Sequence, residues 1–324
     1  MSKFNDFGNA LYSGERSINF IGRRKLWYTI ASALILISVS VTALRGGFNF
    51  GIEFRGGSEF KVTGTTSQQE ALAAPAVQKV IGANTQVNVT SIGTDSIRIQ
   101  TEKLDANESE AVRKELAVAY GVESAAVSSS FIGANWGSDV TAKAVNGLVV
   151  FIILAAITMA LYFRTMKMSV AALVSLLHDL ILTSAVYGAL GFEVTPAAVI
   201  GFLTILGYSL YDTVVVFDKI RENTKDVEHS DTVTFAEQVN LAVNQTLVRS
   251  INTSIVAVLP VGAILFIGSY LFGAGTLRDI SLALFAGIIV GTFSTIFIAA
   301  PLYSQLRERE MKFAKAADKV LASR

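Results

Sequence analysis

Three ionisable residues stand within or at the edge of long apolar runs. Asp179 lies near the middle of one run, Asp212 lies five residues before the end of the next, and Arg249 stands where a later run begins. Charge in hydrocarbon is costly, so such groups face a bundle interior or a wet cavity and pair with one another. At about 1.5 Å per residue, Asp212 lies roughly 7–8 Å inside its boundary. The long Arg249 side chain starts at the same boundary, so the two meet if the fourth and fifth spans are neighbours.

An Asp–Arg pair of this kind can change its protonation state. The cation favours the ionised carboxylate and desolvation favours the neutral acid, so small changes in water access decide whether Asp212 holds a proton. Intramembrane carboxylates that switch in this way serve as proton relays, and Asp179 is a second relay candidate. The alternative is a structural ion pair that fixes helix packing. His178 and Asp179 are adjacent on a helix and point in different directions, which favours a structural hydrogen bond to another helix over catalysis.

Other chemistries lack the residues that they need. The chain has no Cys, and its two His, His178 and His229, are far apart. No Ser-His-Asp spacing, His-Glu-x-x-His or P-loop is present. The net charge of +1 gives no basic field for nucleic acid. We therefore expect no enzyme activity, no cofactor, no metal and no nucleic-acid partner. Any energy that the chain uses should come from an ion gradient, with protons as the candidate coupling ion, or from a partner.

The elements that position these residues are membrane spans. The chain is 52% hydrophobic and only 16% charged, against about 25% charged in soluble proteins. Six apolar stretches are long enough to cross about 30 Å of hydrocarbon as helices. They are Leu26–Leu44, Ala144–Phe163, Met168–Leu190, Pro196–Phe217, Ile251–Phe272 and Ile280–Leu302.

Basic residues predict the orientation of these spans. They precede the first span, fill the link between the second and third, and follow the fourth and sixth, whereas the opposite short links hold only Arg278. Both termini are therefore predicted to be cytoplasmic. The cytoplasmic parts would be residues 1–25, the loop 218–250 and the tail 303–324, with residues 45–143 outside and residues 144–302 carrying the later spans.

The outer segment has the pattern of a small α+β domain. Apolar and polar residues alternate, as in half-buried strands, over Ser58–Thr63, Gln86–Ile92, Ser96–Thr101 and Val122–Phe131. Ser67 to Glu70 reads as a capping box, and Asp105–Tyr120 has the start and end signals of a helix. The resulting order of elements, strand-helix-strand-strand-helix-strand, predicts a ferredoxin-like arrangement. The fold class is thus an all-α six-span bundle with one small extracytoplasmic α+β domain.

Three motifs resemble those of the SecD/SecF family of translocase subunits, in its SecF branch. Phe50–Gly57, with Gly51, Glu53, Gly56 and Gly57, is similar to the family motif that opens the outer domain. Gly207–Asn223 is similar to the fourth-span signature and Asn244–Ser254 to the start of the fifth span. The signature residues are Gly207, Tyr208, Ser209, Asp218, Arg221 and Asn223. Tyr211 stands where Asn is usual, and Glu53 where Asp is usual.

The resemblance carries its own expectations. It implies one half of an RND-type twelve-span unit in the bacterial plasma membrane, completed by SecD and docked on the SecYEG channel. The unit would promote late export of preproteins with the proton motive force, and the family's membrane Asp and Arg carry over to Asp212 and Arg249. Two alternatives are a small-molecule or lipid efflux subunit of the same superfamily and a non-transporting scaffold of the channel complex.

Overall fold

The computed structural model describes residues 3–65, 70–163, 165–230, 232–268 and 275–310, together with 313, 314, 317, 318 and 320. Within these ranges, six helices are long and apolar enough to cross a membrane. The predicted membrane bundle is therefore confirmed. The six are Arg24–Leu44, Trp136–Phe163, Met166–Leu190, Pro196–Asn223, Phe235–Gly268 and Gly275–Glu308.

The described elements are numbered in chain order. They are α1 (Lys3–Ser13), α2 (Arg24–Leu44), β1 (Asn49–Phe50), α3 (Ile52–Arg55), β2 (Gly57–Thr63), α4 (Ala73–Ile81), β3 (Asn88–Ile92), β4 (Ser96–Thr101), α5 (Ala106–Tyr120), β5 (Val127–Ile132), α6 (Ala134–Phe163), α7 (Met166–Leu190), β6 (Glu193–Val194), α8 (Pro196–Asn223), α9 (Phe235–Ala263), α10 (Gly275–Ser294) and α11 (Ala300–Glu308). Two π-helical segments, Ile264–Gly268 and Thr295–Ala299, extend α9 and join α10 to α11.

The fifth span begins much earlier than its apolar run. The sequence predicted a loop up to residue 250 before a span at Ile251, but α9 runs from Phe235 through Ile251 without a break. Its start is fixed by a capping box in which Thr234 and Glu237 satisfy each other's backbone N–H groups. Since α8 also continues to Asn223, the predicted loop 218–250 is helical at both ends.

The α+β domain has strands and helices in the expected ferredoxin-like order. Its four strands form an antiparallel sheet in the order β3-β4-β2-β5. The side chains of Phe60, Ile97 and Leu116 are fully buried between this sheet and the helices. Helix α5 starts where it was predicted to start, and there Asp105 and Glu108 form a capping box. The predicted capping box at Ser67 lies mostly outside the described residues, and β5 starts at Val127, after a 3₁₀ turn.

The glycine-rich motif forms the junction between the bundle and the domain. Strand β1 pairs in parallel with β6, which lies between α7 and α8. The four-residue helix α3 follows, although no helix was expected there, and packs on α6. Gly56 and Gly57 have φ of 76° and 151°, and a Cβ at Gly57 would collide with the Thr101 carbonyl oxygen. Only glycine therefore fits this junction.

Candidate functional site: a polar seam inside the helical bundle

Small residues bring α8 and α10 into close contact. A Cβ at Gly287 would lie 2.6 Å from Ile205 Cγ1, and one at Gly201 would lie 2.7 Å from Ala283 Cβ. Gly287 and Gly291 are four residues apart, as in the small-xxx-small pattern that lets membrane helices approach. This close approach places polar side chains of α8 directly against α10.

Asp212 is buried where α8, α9 and the α10–α11 connection meet. Its side chain is 6% exposed, and its Oδ1 accepts a 2.8 Å hydrogen bond from Ser250 Oγ of α9. Thr295 also lies close to the carboxylate, with its hydroxyl 3.0 Å from that of Thr213. Oδ2 is buried and has no hydrogen bond from the described residues. One carboxylate oxygen of Asp212 thus accepts a hydrogen bond from a hydroxyl group, and the other accepts none from the described residues.

Arg249 is not the direct partner of Asp212. Among the described residues no ion pair within 4.0 Å joins the two, and Arg249 is exposed on the bundle surface. It acts on Asp212 only through longer-range attraction. Neighbouring residues on a helix face different directions, so Ser250 faces α8 and Arg249 does not. The expected contact between the two charges is absent, and Ser250 takes that place.

Asp179 is a second buried carboxylate in the bundle interior, in addition to Asp212. It is 2% exposed and accepts a short hydrogen bond from Ser209 of α8, the predicted bond to another helix. His178 does not point away as expected, because its Nδ1 lies 3.3 Å from Asp179 Oδ1. Gly291 leaves room for this pair, since a Cβ there would lie 3.2 Å from Ser209 Oγ. Ser209 and Asp212 are one turn apart on α8, so the two acids share one region.

Hydroxyl pairs extend this region across four spans. Ser254 on α9 lies 2.6 Å from Thr292 on α10 and 3.2 Å from Tyr208 on α8. Ser175 and Ser294 join α7 to α10 at 3.2 Å. Each hydroxyl can donate and accept, which is what proton transfer along a series of groups requires. We call the following set the polar seam: Asp179, Ser209, Asp212, Thr213, Ser250, Ser254, Thr292 and Thr295.

Most of the seam hydroxyls were missed by reasoning from the sequence. Ser250 directly follows Arg249, and Thr292 and Thr295 lie in the sixth apolar run beside Gly291. The available signal was the clustering of hydroxyl residues around a glycine inside an apolar run. Ser and Thr are common in membrane helices and bond to their own backbone, so this signal alone does not single them out.

The comparisons with known proteins agree with one family along most of the chain. A family model described as "Protein export membrane protein SecD/SecF, C-terminal" matches residues 112–309, which include Asp179, Asp212 and Arg249. The chain belongs to the SecD/SecF family. A "Protein translocase subunit SecF" from Streptomyces coelicolor is 41% identical over 324 residues, covering 100% of this chain and 86% of the relative. A subunit of the same description from Mycobacterium tuberculosis (strain H37Rv) is 41% identical, over 94% of this chain and 70% of the relative.

A solved structure from this family has the same fold. The crystal structure of SecDF from Thermus thermophilus superposes with a TM-score of 0.78 at 27% identity and covers 91% of this chain and 39% of that one. A second structure, of SecDF in a super-membrane-facing form, gives a TM-score of 0.63 at 28% identity, with coverage of 94% and 40%. The membrane architecture is therefore that of SecDF.

Apart from Ser209 in the seam and Tyr208, which donates to Ser254, the residues of the family signature lie outside the seam. Asp218 accepts a 2.5 Å bond from Tyr162 of α6, and Asn223 donates to Gln245 of α9 at 2.8 Å. Arg221 is exposed. Gly207 has open space where a Cβ would stand, and Tyr211 is 59% exposed on the same side of α8. The substitution of Tyr for Asn at 211 therefore alters the outer face of α8 and does not alter the seam.

Gly287→Ala is expected to destabilise the bundle, whereas Gly207→Ala is not. The new methyl at 287 would overlap Ile205, and overpacking of this kind costs about 1–3 kcal/mol. At 207 nothing lies within 4 Å of the added Cβ. Thermal unfolding of the purified chain in detergent measures the difference. Equal unfolding temperatures for the two variants would contradict close packing of α8 on α10.

Proposed function

We propose that this chain is an accessory subunit of the Sec preprotein translocase that works with SecD and uses the proton motive force to promote late export of polypeptides. Asp212 carries the proton. The observation that supports this role most directly is a buried carboxylate held by Ser250 in a seam of hydroxyl groups between spans, whose Oδ2 accepts no hydrogen bond from the described residues. The groups present can take up, hold and pass on a proton without a cofactor.

The proposed partner SecD would cover one outer face of the bundle. The Thermus thermophilus relative that is 30% identical over 90% of this chain is named "Protein translocase subunit SecDF", and the match spans 39% of it. In this chain Gly207, Tyr211 and Arg249 are exposed on α8 and α9. A guanidinium on a lipid-facing surface is costly unless another protein meets it. A second six-span half at this face would remove that cost.

The remaining topology follows the charge distribution. Basic residues flank the end of the bundle opposite to the α+β domain, so this domain is extracytoplasmic and both termini are cytoplasmic, in a bacterial plasma membrane. The SecYEG channel and the emerging preprotein are the further partners. Each proton that crosses supplies about 2.3 kcal/mol per 100 mV, and about 5.5 kcal/mol moves a two-state element from 1:99 to 99:1. A few protons per cycle are therefore sufficient.

The proposal is tested by preprotein export into sealed inverted vesicles. Vesicles that contain SecYEG and SecD, with or without this chain, are compared in the presence and absence of a proton gradient. We expect a gradient-dependent increase in exported protein only when the chain is present. An increase of the same size without the chain would refute the proposed role.

A small-molecule or lipid transport function has one observation in its favour. An apolar cavity of about 530 Å³ lies between α6, α7 and α8 near the junction and is large enough for an acyl chain. Phe50, Phe54 and Phe202 are part of its wall, and Arg55 lies at its polar side. Replacing Leu203 by Trp would fill the cavity. Loss of lipid transport in proteoliposomes with export retained would support this alternative.

A further inference from the structure

Outside the junction, few contacts between described residues hold the α+β domain against the bundle. The open face of the sheet carries Arg98, whose Nη2 lies 2.7 Å from Glu193 Oε2 in the link between α7 and α8. These two side chains are 12% and 10% exposed. The described sheet strands and α4 and α5 make no extensive packing contact with the spans. Removing one partner of a buried ion pair is strongly destabilising, so this pair is the main candidate outside the junction for fixing the position of the domain.

A second carboxylate, that of Glu53, lies close to this ion pair. A Cβ at Gly51 would collide with Glu53 Oε2 and would lie 3.1 Å from Glu193 Oε1, so both oxygens border the same small space. Neither oxygen has a hydrogen-bond donor among the described residues. Two carboxylates that share a buried site do not both ionise readily. One proton on either acid would remove the repulsion between the two carboxylates.

The charged groups around the two acids are of both signs. Apart from Arg98, the charged groups that act most strongly on Glu53 and Glu193 are carboxylates. Burial raises the pKa of Glu53 and of Glu193, and Arg98 opposes that rise. The charged groups facing the cluster are Glu59 and Lys61 on β2, Arg45 beside Gly191, and Arg278 and Asp279 at the start of α10.

We propose that Arg98 and Glu193 form a latch that fixes the α+β domain on the bundle, and that a proton shared by Glu53 and Glu193 closes it. We call Glu53, Arg98 and Glu193 the latch. The inference rests on the proposed function only in assigning this end of the bundle to the outside, where protons would enter. It adds a protonation site at the domain interface, separate from the polar seam.

The pH dependence has a definite sign. In the docked state the pKa of both acids is raised above the ordinary glutamate value of 4.5, and undocking exposes them to water and restores that value. The docked state therefore holds more protons in the interval between the two pKa values. For one proton, the docked-to-undocked ratio falls by up to about tenfold per pH unit as pH rises through this interval. Below and above the interval the ratio is constant.

The absence of Cys from the whole chain permits a direct distance measurement. Cys is introduced at Val118 on α5 and at Leu190 at the end of α7, which are 76% and 57% exposed. The full chain is spin-labelled in lipid nanodiscs, and pulsed EPR distances are recorded from about pH 5 to about pH 8. Because the readout is a distance, it does not depend on export.

The expected result is a single short distance at acid pH and a growing longer population as pH rises. Glu53→Gln mimics the protonated acid and should keep the short distance at every pH. Arg98→Glu and Glu193→Arg should each lose the docked population, and the double exchange should restore it by reversing the ion pair. Lys79→Glu, at an exposed position of α4 that pairs with Glu115 inside the domain, is the control for a reversed charge.

Three outcomes would overturn the inference. If the wild-type distance does not change with pH, protonation does not control the latch. An undiminished pH response in Glu53→Gln assigns the response to other groups. A failure of the double exchange to restore docking, in protein that keeps its wild-type unfolding temperature, shows that the Arg98–Glu193 pair does not set the domain position. None of these results bears on whether Asp212 couples export to the gradient.

Discussion

Asp212→Asn is expected to abolish the gradient-dependent part of preprotein export, with export in the presence of a gradient falling to the level seen without one. Asn has the shape of Asp and can still accept the hydrogen bond from Ser250, so the packing of α8 on α9 is retained. It cannot take up and release a proton in the working range of pH, however, and the relay is interrupted at that point.

The measurement uses the sealed vesicles described above, with co-purification of SecD as the check on assembly. Asp226→Asn makes the same chemical change in the exposed segment after α8 and should export like the wild type. Asp179→Asn is measured in parallel because Asp179 shares the region of the seam with Asp212. If Asp212→Asn retains the full gradient-dependent increment and Asp179→Asn loses it, the relay runs through Asp179. If both retain it, the chain acts as a scaffold.

The exchange of Asp212 for Arg and Arg249 for Asp in one chain is expected not to restore activity. A structural ion pair would tolerate this exchange because the attraction is preserved. Here Asp212 is 6% exposed and bonded to Ser250, while Arg249 lies outside. Arginine at 212 would be buried beside Ser250 and Thr295, while the aspartate at 249 would lie on the outer face. A buried charge without its intended partner costs about 3–5 kcal/mol.

Thermal unfolding and export are both measured for the two single variants and for the double variant. The double variant should unfold at a temperature at least as low as that of Asp212→Arg alone and should show no gradient-dependent export. Arg249→Lys serves as the conservative control and should unfold like the wild type, because the exposed position holds no bidentate contact among the described residues. Recovery of stability and export in the double variant would establish a structural pair and favour the scaffold alternative.

The membrane spans could be read from the sequence because hydrocarbon has a fixed thickness and every backbone group within it must be bonded. The same constraint singled out Asp179 and Asp212, since charge is rare and costly in apolar runs. Helix α5 was also predictable, because Asp105, Glu108 and Gly121 give local start and stop signals. In each case the information lies within a few consecutive residues.

The partner of Asp212 was decided only by the tertiary structure. Reasoning from depth placed Arg249 opposite to Asp212, but depth does not fix rotation about the helix axis. Helix α9 starts at Phe235 and runs unbroken, and this sets its rotation so that Ser250 faces α8 and Arg249 faces outward. A change of one residue in that register turns the helix by about 100° and would exchange their roles.

The sequence by itself determined a six-span chain of the SecD/SecF type with a small α+β domain and two acids at membrane depth. The tertiary structure decided that hydroxyl groups, and not Arg249, surround those acids, since this depends on helix rotation and on close approach at Gly287 and Gly291. It also decided that Arg98 meets Glu193, 95 residues away. Contacts between distant segments follow from the packing of whole elements, and no local pattern encodes them.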